Sequence, residues 1–254
     1  MTALSAQALS VSFGGVKALV DVDLEVTEGK LVGLIGPNGA GKTTFIDAIT
    51  GFVRARGRVE LAGRDVSRLA PHERARSGLA RTWQASELFD DLTVGENLAV
   101  ASERPSMWGA AKELLWKAPS DGAPARDALA VVGLDGARDK LPAQLSQGER
   151  KLVGVARALT AQPRVVCLDE PAAGLDSAES EQLGRRLRQV VGGGTAMLLV
   201  DHDMGLVLSV CDWIVVLEFG KVIATGTPDQ VRGDRRVVEA YLGSAGAERL
   251  AEQL

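Results

Sequence analysis

The residues best suited to chemistry lie in one short loop. Its pattern, G-x-x-x-x-G-K-T, is typical of phosphate-binding loops, and its members are Gly36, Pro37, Asn38, Gly39, Ala40, Gly41, Lys42, Thr43 and Thr44. Glycines allow successive backbone N–H groups to point at one centre, and a following helix adds the positive end of its dipole. The pattern predicts that Lys42 reaches the β- and γ-phosphates of a nucleotide and that Thr43 binds Mg²⁺.

Two other interpretations of this loop are weaker. One is a glycine-rich turn that carries a surface lysine. The other is a dinucleotide-binding loop, but the glycines are spaced G-x-x-G-x-G and the Lys-Thr-Thr tail has no role in that fingerprint. The flanks favour the phosphate loop, because an apolar run over 31–35 predicts a buried strand before it and a periodic segment over 45–50 predicts a helix after it.

A second group of candidate residues follows an apolar run. Residues 164–168 predict a fully buried parallel strand, and Asp169 and Glu170 come at its carboxyl end, just before Pro171. Ligands of open α/β sheets bind at that edge. We therefore expect Asp169 to hold Mg²⁺ and Glu170 to orient and deprotonate a water molecule. The alternative is a charged strand end that faces solvent.

A third candidate stands at the end of another predicted strand. Residues 195–200 form a buried strand that runs into Asp201-His202-Asp203. Because parallel strands end at the same edge of a sheet, His202 is expected beside Asp169 and Glu170, where it would contact a γ-phosphate. A lone histidine is more often structural, and His72, at a predicted helix start, has no comparable argument.

Helices and further strands must position these groups. Alternating residues predict strands over 8–13 and 20–26 joined by Gly14-Gly15, with Phe13 placed either to stack on an adenine or to pack in the core. Thr93, Ser146 and Ser177 are predicted helix caps, and Thr93 and Ser146 each have a glutamate three residues later.

The sequence predicts further elements along the rest of the chain. The predicted helices are 71–76, 94–103, 126–133, 150–160, 177–190, one that starts at 228, and 235–242, and the predicted strands are 57–61, 79–84, 211–217 and 221–225. Residues 104–124 are predicted to hold a helix between irregular segments.

Composition limits the functional classes. The chain has 254 residues, 46% of them hydrophobic, and a net charge of −4, which is not tuned for nucleic-acid backbones. Arginines between 54 and 76 alternate with acidic residues, so a solvated face is favoured over a nucleic-acid patch. Cys167 and Cys211 are predicted to be buried free thiols, which suits a reducing cytosol.

The sequence also indicates no membrane or secretory segment. No basic residue precedes Lys17, so the positive start of a signal peptide is missing. The apolar runs are far shorter than the roughly 20 residues that a membrane helix needs. A role at a membrane would therefore require docking onto another protein there.

Together these motifs resemble those of ATP-binding cassette (ABC) ATPases over essentially the whole chain. The resemblance adds a Q-loop glutamine at Gln84, a signature loop over 145–149 and a D-loop over 172–176, in the family's order and spacing. It implies an α/β P-loop NTPase fold, namely a RecA-like core with a parallel sheet, an antiparallel β subdomain and a helical signature subdomain. It implies one ATPase domain over 1–243, with the helical subdomain at about 85–160 and a frayed tail over 244–254.

A finer resemblance is to the ATPases of branched-chain amino acid importers. Four stretches carry it, at 12–19, 81–84, 202–204 and 240–243. Urea or amide importers and lipopolysaccharide-type export ATPases share parts of these stretches. The signature departs from the common Leu-Ser-Gly-Gly-Gln at Gln147 and Glu149, and Phe13 stands where tyrosine is usual. The segment between Gln84 and Leu145 is somewhat short for the importer group.

The resemblance implies a mechanism with ATP and Mg²⁺. Two subunits, identical or paralogous, would pack head-to-tail, and each ATP would lie between one phosphate loop with its Phe13 and the partner's Ser146, Gly148 and Asp176. Gln84 would join Thr43 and Asp169 in the metal and water shell. The implied partners are two membrane permease subunits and, indirectly, a solute-binding protein, with the ATPase peripheral on the cytoplasmic face of the membrane.

Two other functional classes remain as alternatives. Soluble ABC ATPases of translation or DNA repair usually carry two cassettes or a long coiled coil, and this chain shows one cassette and no long heptad run. A P-loop kinase or GTPase would not explain the signature loop or His202.

Overall fold

The computed structural model describes residues 1–82, 88–102 and 123–241. The strands are β1 Thr2–Phe13, β2 Val16–Thr27, β3 Leu31–Ile35, β4 Arg56–Leu61, β5 Arg64–Asp65, β6 Leu79–Arg81, β7 Val165–Asp169, β8 Ala196–Val200, β9 Trp213–Glu218 and β10 Lys221–Gly226. The α-helices are α1 Lys42–Thr50, α2 Pro71–Arg76, α3 Val94–Ser102, α4 Ala123–Val132, α5 Gln147–Leu159, α6 Ser177–Gly192, α7 Met204–Val210 and α8 Pro228–Arg232, and residues 235–241 are also helical.

Two sheets organise the described residues. A six-stranded sheet has the order β10-β9-β3-β8-β7-β6, in which only the β10–β9 pair is antiparallel. A four-stranded antiparallel sheet has the order β2-β1-β4-β5. The predicted α/β fold, with a parallel sheet and an antiparallel β subdomain, is confirmed.

The central strands are buried on both faces, which explains their continuous apolar sequences. Every residue of β3, β7 and β8 is buried. Alternate side chains of β7 enter different cores: Val165 and Cys167 pack with α1 and the antiparallel sheet, whereas Val166 and Leu168 pack with α4 to α7. The parallel sheet therefore lies between two apolar layers, which pack against both faces of the strands that lead to its carboxyl edge. Both cysteines are buried free thiols, as predicted.

Several element boundaries differ from the predictions for physical reasons. β1 begins at Thr2 rather than near residue 8, because it pairs with both β2 and β4 and this pairing extends it. Helix α6 is capped by Asp176, whose carboxylate accepts a hydrogen bond from Glu179 N, so the predicted Ser177 cap is wrong by one residue. Helix α5 begins at Gln147 because Ser146 caps it directly. The helix predicted within 104–124 and the tail 244–254 lie outside the described residues.

A buried arginine fixes the helix that follows the phosphate loop. The guanidinium of Arg74 donates to the carbonyls of Ala48 and Ile49 at 2.8 and 2.7 Å, and these carbonyls lie at the carboxyl end of α1. It also donates to the carbonyls of Ser67 and Leu69 at 2.8 and 3.1 Å. The Ala48 carbonyl also accepts from Gly51 N–H at 3.3 Å, whereas Arg74 is the donor to the carbonyls of Ile49, Ser67 and Leu69, so Arg74 satisfies carbonyls at and beside the end of α1.

We expect Arg74→Ala to lower the free energy of unfolding by about 3 kcal/mol, because it leaves several buried carbonyls unpaired. Chemical denaturation followed by circular dichroism measures this loss. Arg76→Ala, in the same helix but on an exposed side chain, is the matched control and should change stability by less than about 0.5 kcal/mol. Equal stability of the two variants would contradict the role of Arg74.

Candidate active site

The phosphate loop leaves the carboxyl end of β3 and turns sharply into α1. Gly36 has φ 152° and Gly41 has φ 105°. A Cβ on Gly36 would lie 2.1 Å from the carbonyl oxygen of Leu217, and one on Gly41 would lie 2.7 Å from that of Ala18. Only glycine fits at these two positions, because both the backbone angle and the neighbouring strands exclude a side chain.

The start of α1 is suited to an anion. Its N-cap is Gly41, no side chain caps it, and its first turn carries no acidic residue. Its N-terminal N–H groups are therefore available for the phosphates of a nucleotide. The Lys42 ammonium lies over the same loop and donates to the carbonyls of Gly36 and Pro37 at 2.7 and 3.2 Å. Burial lowers the pKa of Lys42, and three acidic side chains oppose that shift, namely Glu170, Asp201 and Asp169.

Asp169 ends β7 close to this loop. Its side chain is 3% exposed, and Oδ2 accepts a hydrogen bond from Arg81 Nη2 at 2.8 Å. Oδ1 is buried and has no hydrogen-bond partner among the described residues. Burial raises the pKa of the Asp169 carboxyl, although Arg81 opposes the shift. A buried carboxylate oxygen without a partner, together with the Thr43 hydroxyl, fits the all-oxygen ligand set that Mg²⁺ prefers.

Glu170 and His202 meet beside Asp169. Asp169 pairs with Val200 across the two parallel strands, so the residues that follow β7 and β8 emerge together. Glu170 has φ 47°, a left-handed conformation that is uncommon for a side-chain-bearing residue, and its N–H donates to the carbonyl of Val200 at 2.7 Å. Glu170 Oε2 lies 3.9 Å from His202 Nδ1. The predicted convergence of these residues at one sheet edge is therefore found.

Asp201 is a residue to which the sequence analysis gave no role. It is fully buried, and its carboxylate accepts hydrogen bonds from the backbone N–H groups of Ala172, His202 and Asp203 at 3.1, 2.8 and 3.0 Å. These bonds tie the loop after β7 to the loop after β8. The only signal in the sequence is its place at the end of a buried strand.

The signature residues lie at the N-terminus of α5, whereas the phosphate loop leads into α1. Ser146 caps α5, with its N–H donating to Glu149 Oε2 at 2.8 Å and its Oγ accepting from Glu149 N at 3.2 Å. The predicted capping box is confirmed. Gly148 N lies 3.4 Å from Glu179 Oε1. A Cβ on Gly174 would lie 2.7 Å from Gln147 Nε2, so the unusual Gln147 packs against the loop that precedes α6.

Three predicted site residues remain, namely Phe13, Asp176 and Gln84, and the structure describes the first two. Phe13 ends β1 and is 53% exposed, and the start of β2 contacts Gly41, so its hairpin borders the phosphate loop. Asp176 is the exposed cap of α6. Gln84 lies outside the described residues.

Comparisons with known proteins identify this arrangement. A family model described as ABC transporter matches residues 19–173. The high-affinity branched-chain amino acid transport ATP-binding protein BraF of Pseudomonas aeruginosa is 37% identical over 251 residues, which cover 95% of this chain and 98% of that protein. The chain belongs to the ABC transporter ATP-binding family. As a member of that family, it is an ATP-binding, ATP-hydrolysing subunit that energises transport.

Three further similarities bear on this ABC ATPase. The lipopolysaccharide export system ATP-binding protein LptB of Haemophilus influenzae is 37% identical over 244 residues, covering 96% of this chain and 98% of that protein. The crystal structure of an ABC transporter's ATP-binding cassette in its ADP conformation superposes with a TM-score of 0.84, at 30% identity and with 96% and 100% of the two chains covered. A second family model, branched-chain amino acid ATP-binding cassette transporter, matches residues 221–247.

Within the described residues, no helix of the ABC ATPase combines the length and apolarity needed to cross a bilayer.

Proposed function

We propose that this ABC ATPase energises an importer of branched-chain amino acids. The observation that carries the proposal is the match of residues 221–247 to the branched-chain amino acid cassette model, outside the general ABC match. The similarity to BraF over nearly the whole of both chains supports it. The alternatives are uptake of urea or amides and lipopolysaccharide-type export, and the similarity to LptB favours the latter of these two.

The proposed chemistry assigns one role to each residue at the sheet edge. Lys42 and the N–H groups at the start of α1 bind the phosphates. Thr43, Asp169 and Gln84 hold Mg²⁺, which neutralises phosphate charge when bound. Glu170 takes the proton of the attacking water, and His202, 3.9 Å from Glu170, holds the γ-phosphate. The approach of Glu170 to His202 and the proximity of Glu170 and Asp169 to the Lys42 ammonium support the assignment of these four residues. Gln84 lies outside the described residues.

A second ATPase subunit is needed to complete the proposed site. Ser146 and Gly148 present the N-terminus of α5, whereas the phosphates are assigned to the N-terminus of α1. We infer a head-to-tail dimer, with itself or with a paralogous ATPase, in which Ser146, Gly148 and Asp176 of one subunit face the nucleotide on the partner. Phe13 stacks on the adenine, and its 53% exposure leaves a ring face accessible for that contact.

The dimer is proposed to bind two membrane permease subunits at the cytoplasmic face and, through them, to serve a solute-binding protein. A tagged Glu170→Gln protein, which should retain ATP, tests this by capture from detergent-solubilised native membranes in the presence of ATP. We expect multi-pass permease subunits whose genes accompany a solute-binding protein for amino acids. Recovery of export components would favour the LptB-like alternative, and recovery of soluble partners alone would contradict transport while leaving the ATPase chemistry intact.

A further inference from the structure

Arg81, at the end of β6, bridges two acidic side chains from different elements. Its side chain is 7% exposed. Nη1 donates to Asp47 Oδ1 at 2.6 Å, and Nη2 donates to Asp169 Oδ2 at 2.8 Å. Both bonds join charged groups, which makes them shorter and stronger than neutral hydrogen bonds.

The two partners of Arg81 belong to the two halves of the proposed metal site. Asp47 lies on α1, one turn beyond Thr43, whereas Asp169 ends β7. A single planar guanidinium therefore fixes α1 against the end of β7. Its fork offers two separate donors in a rigid geometry, which a lysine ammonium lacks.

The pairing also leaves one oxygen of Asp169 for another ligand. Oδ2 is engaged by Arg81, and Oδ1 is buried without a hydrogen-bond partner among the described residues. The bridge thus occupies Oδ2 and leaves Oδ1 as the carboxylate oxygen of Asp169 that a metal ion could use. The Phe52 ring centroid lies 6.0 Å from the Arg81 guanidinium carbon and adds a cation–π contact on one side of the bridge.

We propose that Arg81 is a positioning residue for the metal-binding half of the active site: by bridging Asp47 and Asp169 it holds Asp169 Oδ1 and the Thr43 helix in the relative placement that Mg²⁺–ATP requires. This inference rests on the proposed roles of Thr43 and Asp169. Arg81 acts through Asp169 and is assigned no contact with the nucleotide. Support groups of this kind typically change metal affinity by about 10- to 100-fold when they are removed.

Stability alone cannot test this proposal, because buried ion pairs contribute to folding in either direction. The test compares the affinity of a fluorescent, non-hydrolysable ATP analogue in Mg²⁺ and in EDTA. The dissociation constant in EDTA divided by the dissociation constant in Mg²⁺ measures how much the metal strengthens binding of the analogue. We expect Arg81→Gln to reduce this ratio about 10-fold or more while the affinity in EDTA changes little. Arg81→Lys should recover only part of the loss, because it keeps the charge without the fork.

Asp47→Asn separates bridging from simple charge pairing. This variant keeps Asp169 and Arg81 but weakens the hydrogen bond from Arg81 to residue 47 on α1. The proposal therefore predicts a smaller decrease of the same ratio of dissociation constants. Arg185→Gln, in an exposed pair with Glu181 at 2.8 Å, is the matched control and should leave the ratio unchanged. ATP hydrolysis provides a second readout, in which the half-saturating Mg²⁺ concentration rises for Arg81→Gln.

Asp169→Asn distinguishes the failure of this inference from the failure of the proposed site. If Asp169→Asn keeps the wild-type Mg²⁺ dependence, the assignment of Asp169 is itself wrong. If Asp169→Asn loses it while the folded Arg81 and Asp47 variants keep it, the positioning role of Arg81 is overturned. A lower Mg²⁺ requirement in Arg81→Gln would also overturn it, because Arg81 would then compete with the metal for Asp169.

Discussion

Glu170→Gln is expected to retain ATP binding and to lower kcat for ATP hydrolysis by about 100- to 10 000-fold, the usual contribution of a general base. Glutamine has nearly the shape of glutamate but cannot accept the proton of the attacking water. Glu170 follows the buried strand β7, and its Oε2 lies 3.9 Å from His202 Nδ1, so its carboxylate is held at the sheet edge rather than dispersed in solvent. Phosphate release measures turnover, and equilibrium binding of ATP measures retention.

The matched control for this substitution is Glu181→Gln. Glu181 lies on α6 and is 74% exposed, so the same chemical change there should leave both turnover and binding unaltered. Wild-type turnover by the Glu170 variant would remove this residue from the base role. A loss of ATP binding equal to the loss of turnover would instead indicate that Glu170 orders the site.

Much of this fold follows from local patterns in the sequence. Continuous apolar runs predicted β3, β7 and β8 because strands buried on both faces of a parallel sheet need apolar residues at every position. The capping box at Ser146 was predictable because it depends on side chains only three residues apart. The end of β6 and the order of the strands depend on pairing between distant segments, which no local pattern encodes.

The sequence likewise predicts some residues of the candidate site and not others. Glycine spacing predicts the phosphate loop, and the rule that ligands bind at the carboxyl edge of a parallel sheet predicts that Glu170 and His202 lie together. Arg81 was missed because its role arises from contacts across long sequence separations, with Asp47 and Asp169. Asp201 binds the N–H groups of the next two residues, but its tie to the other loop is the bond from Ala172, 29 residues earlier, which no local pattern reveals. An arginine ahead of a predicted Q-loop carries no periodicity or spacing that would reveal two carboxylate partners.

Lys42→Ala is expected to weaken ATP binding by about 10- to 100-fold, since a hydrogen bond to a charged group contributes about 1.5–3 kcal/mol and each 1.4 kcal/mol is a factor of ten. Lys42 begins α1 and lies over the phosphate loop, within hydrogen-bond distance of the carbonyls of Gly36 and Pro37. Its ammonium is therefore placed where the phosphates are assigned. Titration of a fluorescent ATP analogue measures the change.

The control for Lys42 uses the other end of the same strand. Lys30 precedes β3, is 54% exposed and pairs with Asp212 at 3.3 Å, so Lys30→Ala removes the same charge far from the phosphate loop. It should leave ATP affinity unchanged. If both variants weakened binding equally, the effect would be one of net charge, and if neither did, the phosphate-loop assignment would fail. A loss confined to Lys42→Ala would place the phosphates at the N-terminus of α1. The two variants remove the same charge at opposite ends of β3, so a difference between them shows that the position of the lysine matters and not the net charge.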